Sequence, residues 1–137
     1  MRYAILIYDE NTANPSPEPP SPEVFGEVMS AYNGYTQMLK DKGVYEAGEA
    51  LQPATTATSI RIKDGQTITT DGPFAETKEG LGGFYIIQAD DLDEALAYGA
   101  QCPGALFGAT IEVRPVMDVA YPQESAQDGP PVGASAG

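Results

Sequence analysis

Residues Thr70–Glu79, TDGPFAETKE, form a turn-rich stretch that separates two similar halves of the chain. An Asp-Gly-Pro sequence is typical of a tight turn, and Leu81 with its flanking glycines joins the stretch to an apolar run at Gly83–Ala89. The residues before it predict a strand, a helix, a strand and a hairpin, and those after it predict a strand, a helix and a strand. This order is the split βαβ arrangement with an inserted hairpin. We therefore predict one α+β domain whose antiparallel sheet carries two helices on one face.

The first half begins with a strand and continues into a long helix. Tyr3–Tyr8 is a short β-prone run that fits a buried strand. Residues 11–22 contain five prolines, which favours a loop without regular structure. Ser21 suits the helix N-cap, and Gly43 can end the helix in the left-handed conformation. Apolar residues three or four positions apart define one helix face, which we interpret as core: Phe25, Val28, Met29, Tyr32, Tyr35 and Leu39.

The middle of the chain predicts a strand and a β-hairpin. Val44–Leu51 can form the second strand, which carries Glu49. Ser59–Ile62 and Thr67–Thr70 flank the pair Asp64-Gly65. An Asp-Gly pair between β-prone segments is a strong signal for a two-residue hairpin turn.

The second half repeats the pattern of strand and helix. Gly83–Ala89 fits another buried strand, and Asp91 with Glu94 forms a variant of the capping box that starts a helix. Pro103 prevents this helix from continuing beyond Cys102, which we expect to be packed and inert. We expect the inward face of the helix to consist of Leu92, Ala95, Leu96 and Gly99.

The chain ends in one more strand and a tail. Thr110–Val116 is the last predicted strand, and Pro115 favours an edge position or a strand end there. From Gln123 onward, Pro, Gly, Ala and Ser leave too little apolar surface to offset chain entropy. We therefore expect a domain over residues 1–120 and a disordered tail over 121–137.

Composition and charge exclude several classes of function. Seven basic and twenty acidic residues give 137 residues a net charge of −13, which repels nucleic-acid backbones and anionic lipids. The lack of histidine excludes Ser-His-Asp and Cys-His catalytic sets and argues against zinc, and one cysteine makes no internal disulfide. No stretch suits a membrane helix or a signal peptide. We expect a cytoplasmic protein without a metal or other cofactor.

The predicted sheet leaves one of its faces uncovered. Both helices pack on one side, so the other side needs a second layer. Two copies of the chain can supply it by placing their sheets face to face. We therefore expect a homodimer.

The stretch that separates the two halves also carries a resemblance to a known family. Asp71-Gly72-Pro73-Phe74, followed by Glu76, Thr77 and Lys78, resembles the signature of the DGPF branch of the YCII-related family. The resemblance covers residues 1–118 and extends to further segments: Gly48–Leu51, Gly82–Phe84, Asp91–Ala95, Cys102-Pro103 and Glu112–Pro115.

This resemblance implies a fold and a range of activities. Members are ferredoxin-like domains that pair into dimeric α+β barrels, and superfamily relatives include lyases, isomerases and cofactor-free oxygenases that act on small, often aromatic compounds. The enzymatic branch uses a histidine on the first helix together with an aspartate. This chain has no histidine, and the corresponding position falls near Ala31 or Tyr32. Some members are encoded beside, or fused to, extracytoplasmic-function sigma factors.

Seven residues are the candidates for a functional site. Two carboxylates are candidate acid/base groups, Asp71 and Glu49, because burial can raise a carboxyl pKa toward neutrality. The other five are candidate contacts to a small-molecule ligand: Tyr8, Phe74, Glu76, Lys78 and Arg114. We expect residues 71–78 to line the only sizeable pocket, near Glu49 and Arg114.

Each candidate also has a structural explanation. The Asp71 carboxylate can satisfy backbone amides of its turn. Glu49 can form an ion pair with Arg114 or with Arg61. On a loop, Glu76 and Lys78 can be a solvated pair, and Phe74 can close one end of the sheet.

Two kinds of function therefore remain open. The first is a cofactor-independent enzyme of lyase, isomerase or oxygenase type that uses Asp71 or Glu49 as its acid/base. The second is a non-catalytic ligand-binding or regulatory partner of an extracytoplasmic-function sigma factor. An apolar cavity with an unpaired carboxylate favours catalysis, whereas filled walls and an exposed apolar patch favour partner binding.

Overall fold

The computed structural model describes residues 1–119. The elements, in chain order, are β1 (Arg2–Asp9), α1 (Glu10–Ala13), α2 (Pro22–Asp41), β2 (Tyr45–Ala50), a 3₁₀ turn (Ala54–Thr56), β3 (Thr58–Lys63), β4 (Gln66–Asp71), β5 (Gly80–Gln88), α3 (Leu92–Ala100), α4 (Pro103–Leu106) and β6 (Thr110–Pro115). The tail predicted for 121–137 lies outside the described residues.

Four strands form one antiparallel sheet in the order β2-β5-β1-β6, and β3 pairs with β4 in a separate two-stranded sheet. This confirms the predicted α+β fold with an antiparallel sheet and an inserted hairpin. The central strands β1 and β5 come from different halves of the chain. Strand β6 lies at an edge and ends at Pro115, as the missing amide of proline predicts.

The core lies on the sheet face that carries both long helices. Ile5 and Ile87 of the central strands are completely buried, as are Leu39 of α2 and Ala95 of α3. The hydroxyl of Tyr35 on α2 donates a hydrogen bond of 2.8 Å to the carbonyl of Tyr98 on α3, which joins the two helices.

The helix caps are those that the sequence predicts. Ser21 accepts a hydrogen bond from the Val24 amide at 3.2 Å, and Asp91 accepts one from the Glu94 amide at 2.9 Å. Gly43 follows α2 with a φ of 72°, a conformation that glycine adopts without a steric penalty.

The expectation of an irregular loop from Asn11 onward was wrong at its start. Helix α1 occupies Glu10–Ala13, because the carboxylate of Asp9 caps it by accepting a 2.6 Å hydrogen bond from the Thr12 amide. The predicted helix faces are also only half correct. Phe25 and Met29 of α2 are 57% and 43% exposed, and Leu92 and Leu96 of α3 are 47% and 46% exposed. The buried faces are therefore narrower than predicted: only Tyr35 and Leu39 of α2 and Ala95 and Gly99 of α3 are buried.

The hairpin β3–β4 turns at Asp64 and Gly65, whose φ values of 53° and 78° match the predicted left-handed turn. We call this hairpin, residues 58–71, the arm. Its residues are exposed apart from a partly covered Ser59, and Ile60 and Ile62, two positions apart on one strand face, are 65% and 74% exposed. The arm therefore presents an apolar face to solvent.

The sheet face opposite the helices, which we call the open face, is apolar at its centre. Leu6 pairs with Phe84, and Ala4 pairs with Ile86. All four residues are half-buried and alternate with the buried residues of the core face. In the row through Leu6 and Phe84, the edge strands contribute Glu112 and Glu49.

No helix within residues 1–119 is long and apolar enough to cross a membrane.

Candidate functional site

A cleft of about 370 Å³ lies between α2 and the strands β1, β2 and β5, and we call it the α2 cleft. Helix α2 forms one wall with Val28, Met29, Tyr32, Asn33 and Thr36. The strands form the other walls with Ile7, Asp9, Tyr45, Gly48, Glu49, Ala50 and Gly82–Tyr85. Val28, Met29 and Tyr32, which we interpreted as core, therefore line an open cleft.

Two glycines, Gly48 and Gly83, lie at the floor of the cleft, where neighbouring groups approach them closely. A Cβ atom at Gly48 would lie 2.8 Å from Cδ1 of Tyr85, and one at Gly83 would lie 2.9 Å from the carbonyl oxygen of Glu49. Gly83 pairs with Ile7, whose side chain belongs to the core, so a side chain at position 83 would point toward α2. The two glycines therefore allow the Tyr85 ring and the β2 backbone to approach closely at the floor of the cleft.

Hydroxyl groups converge at this floor. The hydroxyls of Thr36 and Tyr85 lie 2.8 Å apart and share a hydrogen bond. Burial raises the pKa of Tyr85, and the hydrogen bond with Thr36 opposes part of that shift. Burial also raises the pKa of Tyr32 well above its ordinary value, and the nearby Cys102, Tyr85 and Asp9 raise it further. Both phenols are therefore neutral at physiological pH.

Cys102 lies behind Tyr32 in the core. It is completely buried and interacts with the Tyr32 side chain. Burial raises the pKa of its thiol, although hydrogen bonds with Gly104 and Tyr32 oppose the shift. A buried, protonated thiol is a packing residue rather than a nucleophile, as the sequence predicts.

Asp9 brings a carboxylate to the cleft from the end of β1. Its Oδ1 accepts the α1 capping hydrogen bond, and a Cβ atom at Gly82 would lie 3.3 Å from its Oδ2. The register between β1 and β5 shifts at Ile7/Tyr8, where Gly82 has no partner on β1. This bulge brings β5 close to Asp9. The arrangement places one half-buried carboxylate among neutral hydroxyl groups.

A second cleft, which we call the motif cleft, is lined by residues 73–77 and 79–81 together with Tyr8 and the 3₁₀ turn, and its volume is about 670 Å³. It brings together three of the predicted ligand contacts: Tyr8, Phe74 and Glu76. Phe74 is 78% exposed, so the expectation that it closes one end of the sheet was wrong. The aromatic ring lies in an open, solvated cleft.

Asp71 lies at the end of β4, is exposed, and lines neither of the two clefts. The turn after it is held by other groups. The amide of Gly72 donates a 2.6 Å hydrogen bond to the carbonyl of Ala57, and the hydroxyl of Ser59 donates one of 2.8 Å to the carbonyl of Gly72. Backbone and serine groups thus provide the support that we expected from the Asp71 carboxylate.

The predicted ion pair of Glu49 with Arg114 or Arg61 was wrong, because Glu49 forms neither pair within the described residues, and Glu49 and Arg114 belong to opposite edges of the sheet. Arg114 instead contacts Glu112 on its own strand at 2.7 Å. Glu49 lines the α2 cleft, and its register partner is Phe84 of the open face. Its side chain is therefore directed to the open face, away from the floor of the cleft.

Lys78 contacts Glu10 at 3.3 Å rather than Glu76, and both side chains of this pair are largely exposed. Lys78 lines a third, shallow depression of about 410 Å³ with Glu10, Asn11, Asn14 and Ser16. The predicted single pocket is therefore replaced by separate clefts. Five of the seven candidate residues are distributed among these three clefts, whereas Asp71 and Arg114 line none of them.

Four groups of the α2 cleft were not among the seven candidates, namely Asp9, Tyr32, Thr36 and Tyr85. Tyr32 is one of the two positions near which the resemblance places the histidine of the enzymatic branch, and that expectation was a usable signal. Asp9 directly follows a buried strand, and no local pattern distinguishes it from other surface acids. Within residues 1–119, no three His, Cys, Asp or Glu side chains are grouped so that they could hold a metal ion.

Comparisons with known proteins give a consistent result. The model of the YCII-related domain family matches residues 1–120. An uncharacterised protein of Rhizobium meliloti strain 1021 is 36% identical over 117 residues, which cover 85% of this chain and 92% of that protein. The family match spans the whole described structure.

Proposed function

Since the chain belongs to the YCII-related domain family, we propose that it is a small-molecule-binding protein of the DGPF branch and that the α2 cleft is its ligand site. The observation that carries this proposal is the convergence of Thr36, Tyr85 and Asp9 in a cleft with apolar walls. Ligand sites are usually concave and mostly apolar, with a few placed polar groups. The 370 Å³ of this cleft suit a molecule of about one aromatic ring with substituents.

The chemistry that fits this cleft is cofactor-independent acid/base catalysis of the lyase, isomerase or oxygenase type. Tyr32, near the position of the family's histidine, is neutral and can donate a hydrogen bond, but its raised pKa excludes it as a base near neutral pH. The role of the base then falls to a carboxylate. Asp9 fits better than Glu49, whose side chain is directed to the open face, or Asp71, which lies outside the cleft.

A pair of asparagine variants distinguishes these carboxylates once a substrate is known. Asn retains a side-chain oxygen and remains a good N-cap, so Asp9→Asn keeps α1. We expect Asp9→Asn to lower turnover about a hundredfold or more, as removal of a general base does. Asp71→Asn should retain turnover and shift stability by less than about 1 kcal/mol. The reverse outcome would return the catalytic role to Asp71.

The location of the ligand site can be tested before any substrate is known. Met29 is 43% exposed and lines the cleft, whereas Phe25, on the same helix, is 57% exposed and does not. Met29→Trp should fill the cleft and remove the thermal stabilisation that small aromatic fragments give to the wild-type protein. Phe25→Trp is the matched control and should retain it. Equal stabilisation of both variants would place the ligand elsewhere.

We also propose that the chain is a homodimer that forms a dimeric α+β barrel by pairing its open faces. The apolar centre of this face, Leu6 and Phe84 with Ala4 and Ile86, supports the proposal, since a monomer would leave it facing water. The polar residues Glu49, Glu112 and Arg114 flank this centre at the edge strands. An apolar centre with a polar rim is typical of a protein interface.

The arm favours the second candidate function, a regulatory partner of an extracytoplasmic-function sigma factor. Ile60 and Ile62 form an exposed apolar face, and an isolated two-stranded hairpin is at best marginally stable in water. If the arm is the docking element, Ile62→Lys should abolish co-elution with such a sigma factor, and Met29→Trp should not. Co-elution that survives Ile62→Lys would contradict this function for the arm.

A further inference from the structure

The charges that line the α2 cleft have one sign. Asp9 contributes a carboxylate, whereas the side chain of Glu49 is directed to the open face with that of its register partner Phe84. Within the described residues no lysine or arginine lines this cleft. The hydroxyls of Thr36 and Tyr85 are neutral and share one hydrogen bond. The only formal charge at the cleft walls is therefore negative.

The carboxylate of Asp9 is suited to meet a ligand charge. One of its oxygens is used by the α1 cap, and the other, Oδ2, lies beside Gly82, where a Cβ atom would come within 3.3 Å of it. Asp9 is half-buried, and no described residue forms an ion pair with it. A partly desolvated, unpaired carboxylate interacts more strongly with a cation than an exposed carboxylate does.

Aromatic rings complete the walls. Tyr32, Tyr45 and Tyr85 line the cleft, and aromatic ring faces attract ammonium groups. The chain already contains one such contact, since Lys40 Nζ is 5.1 Å from the centroid of the Tyr45 ring, although Lys40 itself does not line the cleft.

From this arrangement we propose that the α2 cleft binds an organic cation, namely a primary ammonium group carried on a small aromatic or aliphatic body. The inference rests on the proposed ligand site and adds the chemical class of the ligand. The ammonium contacts Asp9, and the body packs against the tyrosine rings and Met29. The net charge of −13 adds a field that attracts cations to the whole molecule.

An anionic ligand fits this cleft poorly. Tyrosine and threonine hydroxyls can donate hydrogen bonds to an oxyanion, but the Asp9 carboxylate repels it. Repulsion by a like charge without a compensating cation outweighs the net contribution of a neutral hydrogen bond. A carboxylate-bearing ligand would need a lysine or arginine that these walls do not contain within the described chain.

Three probes of similar size and different charge test the inference: benzylamine, benzyl alcohol and benzoate. Titrations of the full-length protein at low ionic strength, followed by NMR, give the dissociation constant of each. We expect benzylamine to bind at least about tenfold more tightly than benzyl alcohol, with benzoate the weakest of the three. Added salt should reduce the preference for benzylamine.

Matched variants assign the charge that is responsible. Asp9→Asn should bring benzylamine to the affinity of benzyl alcohol while α1 stays capped. Asp64→Asn removes the same charge from the exposed hairpin turn, a position that tolerates asparagine, and should leave the preference for benzylamine intact. Equal binding of amine and alcohol, tighter binding of benzoate, or an unchanged preference in Asp9→Asn would overturn the inference. Binding of benzyl alcohol without a charge preference would overturn the ligand class alone, whereas failure of all three probes would contradict the ligand site as well.

Discussion

The hydroxyl groups of Thr36 and Tyr85, 2.8 Å apart, join α2 to the central strand β5 at the floor of the α2 cleft. The Tyr85 ring also meets Tyr35 edge to face, with ring centroids 5.3 Å apart and planes at 86°. The same tyrosine therefore contributes its ring to the core and its hydroxyl to the candidate site. This dual role couples the shape of the cleft to the packing of α2.

Removal of the Thr36 hydroxyl should destabilise the protein. Thr36→Val has a similar shape but leaves the Tyr85 hydroxyl without its partner in a half-buried position, which costs about 1–2 kcal/mol. Thr36→Ser retains the hydroxyl and serves as the control. Urea unfolding of the two variants measures the difference, and equal unfolding midpoints would show that the hydrogen bond contributes nothing.

Alanine at position 83 should destabilise the protein, whereas alanine at position 26 should not. The Cβ atom of Gly83→Ala would lie 2.9 Å from the Glu49 carbonyl, so β2 must move away from β5. We expect a loss of about 1–3 kcal/mol, which is typical of overpacking. Gly26 is an exposed position of α2, and no atom lies within 4 Å of the Cβ that Gly26→Ala would add. We expect this variant to gain up to about 1 kcal/mol of stability from the higher helix propensity of alanine. Similar effects at both positions, measured by denaturant unfolding, would contradict the tight strand approach.

The fold followed from local patterns because each pattern acts through neighbouring residues. Ser21, Asp91 and the pair Asp64-Gly65 fix a cap or a turn within four residues, and the structure has them as predicted. The packed half of α2 was also predictable, since Tyr35 and Leu39 continue its apolar period into the core. Element order then determined the antiparallel sheet.

The candidate site was not predictable in the same way. The α2 cleft joins Asp9, Tyr32 and Tyr85 from three separate elements, and no spacing along the chain reports this proximity. The motif at residues 70–79 is conspicuous in the sequence because turns require special residues, yet Asp71 lies outside both clefts. Glycine, proline and aspartate at a turn indicate backbone geometry, and that signal is easily mistaken for a site.

Stability should fall at alkaline pH because the buried phenols and the thiol resist ionisation. Burial raises the pKa values of Tyr32, Tyr35, Tyr85 and Cys102 above their ordinary values of 10.0 and 9.0. The unfolded chain then releases protons that the folded chain retains. Their contribution to stability is complete below about pH 9 and is lost as the pH rises through the folded-state pKa values.

Two measurements check this dependence. The urea midpoint should decrease between pH 9 and 11, and the phenolate absorbance of the buried tyrosines should appear only with unfolding. Tyr35→Phe removes one of these phenols and should therefore reduce the decrease of the urea midpoint between pH 9 and 11. The variant also loses the hydrogen bond to Tyr98, which lowers its midpoint at every pH. A midpoint that is constant over this range would show that these groups titrate normally.

The open face should be buried between two copies of the chain. Light scattering at micromolar concentration should give twice the 14.4 kDa chain mass. Leu6→Glu places a charge at the centre of this face and should yield monomers, because burial of an unpaired carboxylate is strongly unfavourable. Leu106→Glu, at a position that is 83% exposed on α4, is the control and should remain dimeric. If light scattering gives the mass of a monomer for the wild-type protein, the proposed dimer is contradicted.

The most direct test of the ligand site is a map of the amide chemical shifts that change when small aromatic fragments are titrated into the full-length protein. We expect the largest changes to cluster at Tyr32, Thr36, Gly83 and Tyr85, which surround the α2 cleft. If the largest changes occur instead at Phe74 and Glu76 of the motif cleft, or on the arm, the α2 cleft is not the ligand site.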